Sequence, residues 1–181
     1  MVTITPVVTT SGGHIVGDVV FNLTDIKLPA PACKLVSISG FVANQGTSDG
    51  FVTSKKLGVL FFKNKINDVI GPLSNSANIS SSDFNLNKYI GQSCLHTSQS
   101  NSTQVSFSTK TKLLYPGSIN SDTIGASDGE HGSVFEPMVL KGSGDNMVYA
   151  AGVIHAEENE ARNALTFSTS SDLTINFHFE Y

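Results

Sequence analysis

The sequence predicts an all-β protein with at most one short helix, and it favours a two-sheet antiparallel sandwich, wound as a jelly roll, over an up-and-down barrel. The first observation is strict alternation over the last ten residues, which places on one face Leu173, Ile175, Phe177, Phe179 and Tyr181. The second is the run Leu57–Lys63, which is apolar almost throughout and is typical of a strand covered on both faces. The third is the regular succession of short strand-like segments and turn residues.

Each strand is predicted from an alternating or continuous apolar segment that ends at turn-forming residues. The predicted strands are 2–10, 15–26, 35–43, 57–63, 90–97, 103–110, 134–140, 147–155, 164–167 and 172–181. Pro6 interrupts the first of these and cannot donate a ladder hydrogen bond. Residues 1–13 are therefore expected to form an extended N-terminal arm or an edge strand, and residues 14–181 a single sandwich domain.

Three local features refine this assignment. Gly17-Asp18 interrupts the second segment and predicts a bulge. In the third segment, alternation places Val36 with Ile38 on one face and Leu35 with Phe41 on the other. Ser and Asp residues that can cap a helix precede Asp83–Tyr89, the one helix expected.

Composition excludes several classes of function. The chain has 181 residues, a formal charge of −4 and only 11 Lys and Arg residues, so we expect no nucleic-acid partner. No run of 18 apolar residues exists, so we expect no membrane span. The scarcity of basic residues also argues against an anionic membrane surface as a partner. The N-terminal segment lacks the pattern of a secretory signal. Cys33 and Cys94 lack zinc-site spacing and are expected to be free thiols.

The longest polar segment, Ser118–Ser133, contains the densest group of possible metal ligands. These are Asp122, Asp128, Glu130 and His131. Their oxygen atoms suit Ca²⁺, but their spacing lacks the pattern of a helix-loop-helix calcium site. A solvated polar loop is the alternative and the preferred interpretation, and we assign no metal ligand.

No catalytic or cofactor-binding residue is assigned. Gly142-Ser143-Gly144 is too short for the Gly-x-Ser-x-Gly nucleophile turn. Glycosidase carboxylates would have to come from Glu136, Glu157, Glu158, Glu160 and Glu180, which no pattern groups together. A sugar-stacking platform would depend on Tyr89, Tyr115, Tyr149 and Tyr181, because the chain has no Trp.

Two blocks of sequence resemble virion proteins of tailed bacteriophages. The first, Leu57–Leu95, combines an aromatic-rich strand, an Ile-Gly connection, a Ser-Ser-Asp cap and a second Ile-Gly before another strand. The second, Met147–Tyr181, combines a small-residue strand, a Thr-Phe segment and Ser-Asp-Leu-Thr before the final strand. The proteins they resemble are β-sandwich decoration, or cement, subunits of phage capsids.

The resemblance implies a structural protein without enzymatic activity or cofactor. It would be made in the host cytoplasm, bind the major capsid protein on the capsid surface and associate with itself, with a homotrimer as the expected state. The segment Met1–Gly13 is the expected docking element, by strand addition to a neighbour. The alternative is a carbohydrate-binding module or fibre tip that contacts glycans through the Ser118–Ser133 loop.

Overall fold

A computed structural model describes residues 1–10, 14, 17–43, 56–71, 73, 81–100, 105–110, 138–155 and 167–181. Within these residues the chain forms nine β-strands and one helix. They are β1 Val2–Ile4, β2 Val19–Lys27, β3 Ala32–Val42, β4 Lys56–Phe62, α1 Ser81–Leu86, β5 Tyr89–Ser100, β6 Val105–Lys110, β7 Met138–Lys141, β8 Met147–His155 and β9 Leu173–Glu180.

The strands form two packed antiparallel layers, which confirms the predicted two-sheet sandwich. The first sheet has the order β1-β9-β3-β6, with β7 also paired to β3, and the second has the order β5-β4-β8-β2. The β5–β6 hairpin continues the hydrogen bonding from one sheet to the other. The layers meet through side chains such as Phe61 of β4 and Phe177 of β9, whose ring centroids are 5.9 Å apart in an edge-to-face contact.

The jelly-roll winding stays a prediction. In each sheet, strands from the first half of the chain lie next to strands from the second half, for example β1 next to β9 and β2 next to β8. Two nested Greek keys would give this arrangement. The long connections that would establish the winding lie in ranges outside the described residues, among them 44–55 and 111–137.

The main hydrophobic core lies between the two sheets and receives side chains from both. Val20 and Phe21 of β2, Leu35 and Ile38 of β3, and Phe177 of β9 are all buried in it. Phe21 packs directly over Gly152 of β8, where a Cβ atom would overlap the aromatic ring. Gly152 is therefore required by the close approach of that ring.

A second hydrophobic cluster covers the outer face of the second sheet. Leu60 and Phe62 of β4 pack there beneath Ile70 and Phe84, which belong to the connection after β4 and to α1. The intervening residues Leu57, Val59 and Phe61 face the main core. The prediction that Leu57–Lys63 is covered on both faces is confirmed through Phe62, whereas Lys63 is exposed.

The predicted facing of β3 is wrong for its first half because the strand contains a bulge. Its pairing with β9 shifts register between Leu35 and Ser37, so Val36 is the extra residue. Leu35 is buried together with Ile38, whereas Val36 is exposed. One inserted residue inverts the alternation, and a pattern read from sequence does not show it.

Other boundaries also differ from the prediction. The helix ends at Leu86, before the predicted Tyr89, because Lys88 adopts a left-handed backbone with φ of 53° and Tyr89 already begins β5. Gly17, with φ of 89°, precedes β2, and the register shifts occur later, between Val19 and Thr24. Tyr181 follows β9 and is 85% exposed, so it does not belong to the buried row predicted for the last strand.

The other predicted strands agree with the observed strands to different degrees. The pattern over 147–155 corresponds to β8 in full. The first predicted strand is reduced to Val2–Ile4. Of the segment 164–167, only Phe167 is described, and it is not in a strand. The described helix is too short to cross a membrane.

Candidate functional site: an edge strand and an exposed sheet face

The N-terminal segment forms the rim of the first sheet. Val2, Thr3 and Ile4 pair with Phe177, Asn176 and Ile175 of β9. Within the described residues β1 pairs with β9 alone, so β1 is an edge strand of the first sheet. Of the two forms expected for residues 1–13, an extended arm or an edge strand, Val2–Ile4 has the second.

This rim segment, residues 1–8, is anchored on one side and exposed on the other. Ile4 and Val8 are buried against the main core, and the Val8 amide donates a 3.0 Å hydrogen bond to the Ser170 carbonyl. Met1 and Val7 are 76% and 67% exposed. Met1 and Val7 are therefore separate exposed apolar side chains on a fixed sheet rim, where a partner protein could contact them.

Among the described residues, the outer face of the first sheet lacks a hydrophobic cluster like the one that covers the second sheet. Register places side chains of β1, β9 and β3 in transverse rows, because residues directly opposite each other share a face. One row contains Thr3, Asn176 and Ser39, and the next contains Thr174 and Phe41. None of these five side chains is buried.

We call the uncharged part of this face the neutral patch, and it consists of Thr3, Ser37, Ser39, Phe41, Thr174 and Asn176. The Thr3 hydroxyl donates a 2.7 Å hydrogen bond to Asn176 Oδ1, which fixes the amide group. Phe41 is the aromatic side chain of the patch and is 38% exposed. His178 of β9 and Lys110 of β6, which are opposite Ser37 on its two sides, border the patch.

Charged and aliphatic side chains lie at the far end of this face. Lys34 is opposite Glu180 on one side and opposite Val139 on the other. Val139 is exposed, as is Val36 at the bulge. The face therefore changes from uncharged and hydroxyl-rich at the Phe41 end to charged and aliphatic at the Lys34 end.

On the opposite side of the molecule, polar side chains hold the covering segment in place. Asn87, which is buried at the end of α1, accepts a 2.8 Å hydrogen bond from the Ile66 amide. Asn22 of β2 accepts a 2.9 Å bond from the Ile70 amide. Lys65 is 2.9 Å from Asp25, whose hydrogen bond raises the pKa of the lysine.

The structure places few of the chemically interesting residues named from the sequence. Asp122, Asp128, Glu130 and His131 lie outside the described residues, as do Glu136, Glu157, Glu158 and Glu160. Within the described ranges no group of three His, Cys, Asp or Glu side chains could hold a metal ion. Glu180 is exposed at the end of β9. Cys33 is buried and free, as predicted, and the side chain of Cys94 is not described.

Ser143, Tyr89 and Tyr149 make contacts that stabilise the fold. Ser143 Oγ donates a 2.9 Å hydrogen bond to the Lys63 carbonyl and thereby ties the β7–β8 turn to the end of β4. Tyr89 packs against Phe62 and Phe84, and its burial raises the pKa of its hydroxyl. Tyr149 packs beside the same cluster. These two tyrosines stabilise the cover rather than form a sugar-stacking surface.

Comparison of the chain with protein-family models, with curated proteins and with solved structures finds no match. The rim segment and the neutral patch are therefore identified from the geometry of the structure and not from similarity to a known protein. The rim segment was visible in the sequence through Pro6 and the weak alternation of the first residues. The neutral patch was not, although Thr174 and Asn176 alternate visibly, because their partners on β3 depend on register across the bulge.

Proposed function

We propose that this chain is a non-enzymatic structural protein of a tailed-phage virion, which decorates and stabilises the capsid surface by binding the major capsid protein. The proposal is supported by the resemblance of Leu57–Leu95 and Met147–Tyr181 to capsid decoration proteins. It is also supported by the fold, since two-sheet antiparallel sandwiches serve widely in viral shells. Self-association, with a homotrimer as the expected state, belongs to the same proposal.

The observation that carries the proposal is the rim segment. Ile4 and Val8 hold it to the domain, while Met1 and Val7 present apolar surface to the outside. Docking through this segment needs no rearrangement of the core. β1 is only three residues long and Pro6 follows closely, and both features protect a sheet edge against indiscriminate pairing. We therefore expect side-chain contacts of Met1 and Val7 to contribute more than strand addition.

A modest contact is enough for such a protein. A capsid offers many equivalent sites, and an oligomer that engages several of them gains affinity through effective concentration. A trimer matched to a lattice position of the same symmetry would engage three equivalent contacts at once.

The direct test is co-sedimentation of the purified protein with capsid shells that lack it. We expect Val7→Asp to abolish sedimentation with the shells, because a charge would have to be desolvated in the contact. Val69→Asp is the matched control, because Val69 is also an exposed valine but lies on the segment that covers the second sheet. Equal binding by both variants would remove the rim segment from the proposal.

Deleting Met1–Gly13 is a less specific test than the point variant. The deletion also removes Ile4 and Val8 from the core, so lost binding would be confounded with lost stability. The oligomeric state is measured separately by sedimentation velocity, and a monomer at all concentrations would contradict the trimer.

The alternative function is a carbohydrate-binding module or fibre tip. Its expected contact, the loop Ser118–Ser133, lies outside the described residues. A glycan signal together with no affinity for capsid shells would favour this alternative over decoration.

A further inference from the structure

We propose that the rim segment, residues 1–8, exchanges between copies of this chain, so that the segment of each copy occupies the place beside β9 of its neighbour. This inference rests on the self-association that belongs to the proposed function, and it names the element that joins the copies. It leaves the proposed capsid contact intact, because Met1 and Val7 face outward on whichever copy holds the segment.

The rim segment can leave the domain without breaking any other strand pairing of the described residues. It contains the first residues of the chain, and β1 pairs with β9 alone. β9 itself remains paired with β3 from Leu173 to Glu180 when β1 is withdrawn. A terminal strand that is held on one side is the part of a sheet that opens most readily.

The place beside β9 is complementary to this segment. Ile4, Pro6 and Val8 are buried at alternate positions. Ile4 lies opposite Ile175, and the Val8 amide donates its hydrogen bond to the Ser170 carbonyl. Withdrawal of the segment would expose the apolar surface that these side chains cover and leave the edge of β9 unpaired. The same segment of a second copy restores every one of these contacts, which makes exchange a low-cost route to an oligomer.

The sequence after the rim segment is typical of a hinge. Residue 10 is followed by Ser-Gly-Gly, and glycine adopts more backbone conformations than any other residue. Beyond it His14 is buried, with its ring centroid 5.7 Å from that of Phe167 in an edge-to-face contact. A change of backbone direction between residue 10 and His14 would therefore move the rim segment and leave the rest of the domain in place. The ten residues before His14 span up to about 33 Å when extended, which is enough to reach an adjacent copy.

Local concentration determines how far the exchange proceeds. The closed and exchanged forms make the same contacts beside β9, so the closed form is favoured in dilute solution, where the copy's own segment is nearest. At high protein concentration, or when copies are held next to each other on a shell, the segment of a neighbour competes. Exchange around a ring of copies satisfies every segment and closes the oligomer.

The test uses Thr3 and Asn176, which lie directly opposite each other and are joined by a 2.7 Å hydrogen bond. Cysteines at opposite positions of paired strands are close enough for a disulfide. One protein carries Thr3→Cys and a second carries Asn176→Cys, both with Cys94→Ser, and the two are refolded together at high concentration and then oxidised. We expect a disulfide between the two different chains, which non-reducing electrophoresis detects and peptide mass spectrometry assigns.

Val7→Cys mixed with Asn176→Cys is the matched control. Val7 is exposed on the same segment but lies about 13 Å further along it than Thr3. This mixture should show only the small amount of cross-linking that random collision produces, and an unchanged thermal midpoint shows that each variant is folded. Equal cross-linking in the two mixtures would overturn the exchange.

Combining Thr3→Cys and Asn176→Cys in one chain separates exchange from other modes of self-association. Exchange links the chains into covalent oligomers, whereas a closed segment forms its disulfide within one chain. An oligomer in sedimentation velocity whose disulfides all lie within single chains would overturn the exchange and leave the proposed self-association standing. A monomer at all concentrations, with the same internal disulfide, would overturn both.

Discussion

At the scale of single residues, Phe21 packs against Gly152 so closely that a side chain on Gly152 would overlap its ring. The two residues are register partners on β8 and β2, and the ring of Phe21 occupies the space of a Gly152 side chain. The second sheet can bring a large aromatic side chain onto the backbone of its neighbour only because that neighbour lacks a Cβ atom. The site accommodates no added methyl group.

We therefore expect Gly152→Ala to lower the free energy of unfolding by about 1–3 kcal/mol, the usual cost of overpacking a core. Urea denaturation followed by fluorescence or circular dichroism measures the change. Combining Gly152→Ala with Phe21→Leu should cost less than the sum of the two single changes, since the smaller side chain relieves the overlap. Full additivity of the two changes would show that the overlap is not the cause.

Val36 shows where sequence reasoning at the residue scale reaches its limit. The alternation of β9 predicted correctly that Leu173, Ile175 and Phe177 are buried, because every second side chain of an uninterrupted strand faces the core. The same argument failed for Leu35, because the bulge at Val36 shifts the phase of the strand. A bulge is specified by pairing with a distant strand, which a local pattern does not contain.

At the scale of elements, a few part-buried hydrogen bonds hold the cover over the second sheet in place. The side chain of Asn87 accepts a bond from the Ile66 amide, while its carbonyl accepts one from the Asn64 amide. Both bonds fasten the connection after β4 to the end of α1. The sequence predicted the helix and the two-sided burial of β4, but it did not identify Asn87, since an asparagine after a short helix is usually read as a cap.

We expect Asn87→Ala to lower the free energy of unfolding by about 1–3 kcal/mol, because it leaves the Ile66 amide without its acceptor. Asn85→Ala is the matched control, since Asn85 lies in the same helix with an exposed side chain, and it should change stability by less than about 0.5 kcal/mol. Limited proteolysis would locate the effect, with earlier cleavage between residues 63 and 73 in the Asn87 variant only. Equal stability of the two variants would show that the cover does not need this bond.

The rim segment is the second element whose contribution can be measured. Ile4 is buried in the main core although β1 contains only three residues. We expect Ile4→Ala to cost about 2–5 kcal/mol, as other large-to-small changes in cores do. Val7→Ala should be close to neutral, because Val7 is exposed. Similar small effects of both changes in thermal or urea denaturation would mean that the segment is not anchored in solution.

At the scale of the whole molecule, the two sheets differ in how their faces are covered. The second sheet has a hydrophobic cluster on each face, whereas among the described residues the first sheet has one only on the side that faces the core. This asymmetry leaves the outer face of the first sheet and its rim as the described surfaces best placed for a partner. Composition and alternation predicted two layers, but they could not assign which layer is covered, because the cover comes from an irregular connection.

The same asymmetry predicts an order of local stability. β4 is hydrogen-bonded to β5 and β8 and is buried on both faces, so its amides should exchange only when most of the domain opens. β1 pairs on one side and should exchange orders of magnitude faster. Native-state hydrogen exchange followed by mass spectrometry compares peptides that contain Leu57–Phe62 with peptides that contain Val2–Ile4. If both exchanged at the same rate, the domain would open as a single cooperative unit, and the expected order of local stability would be wrong.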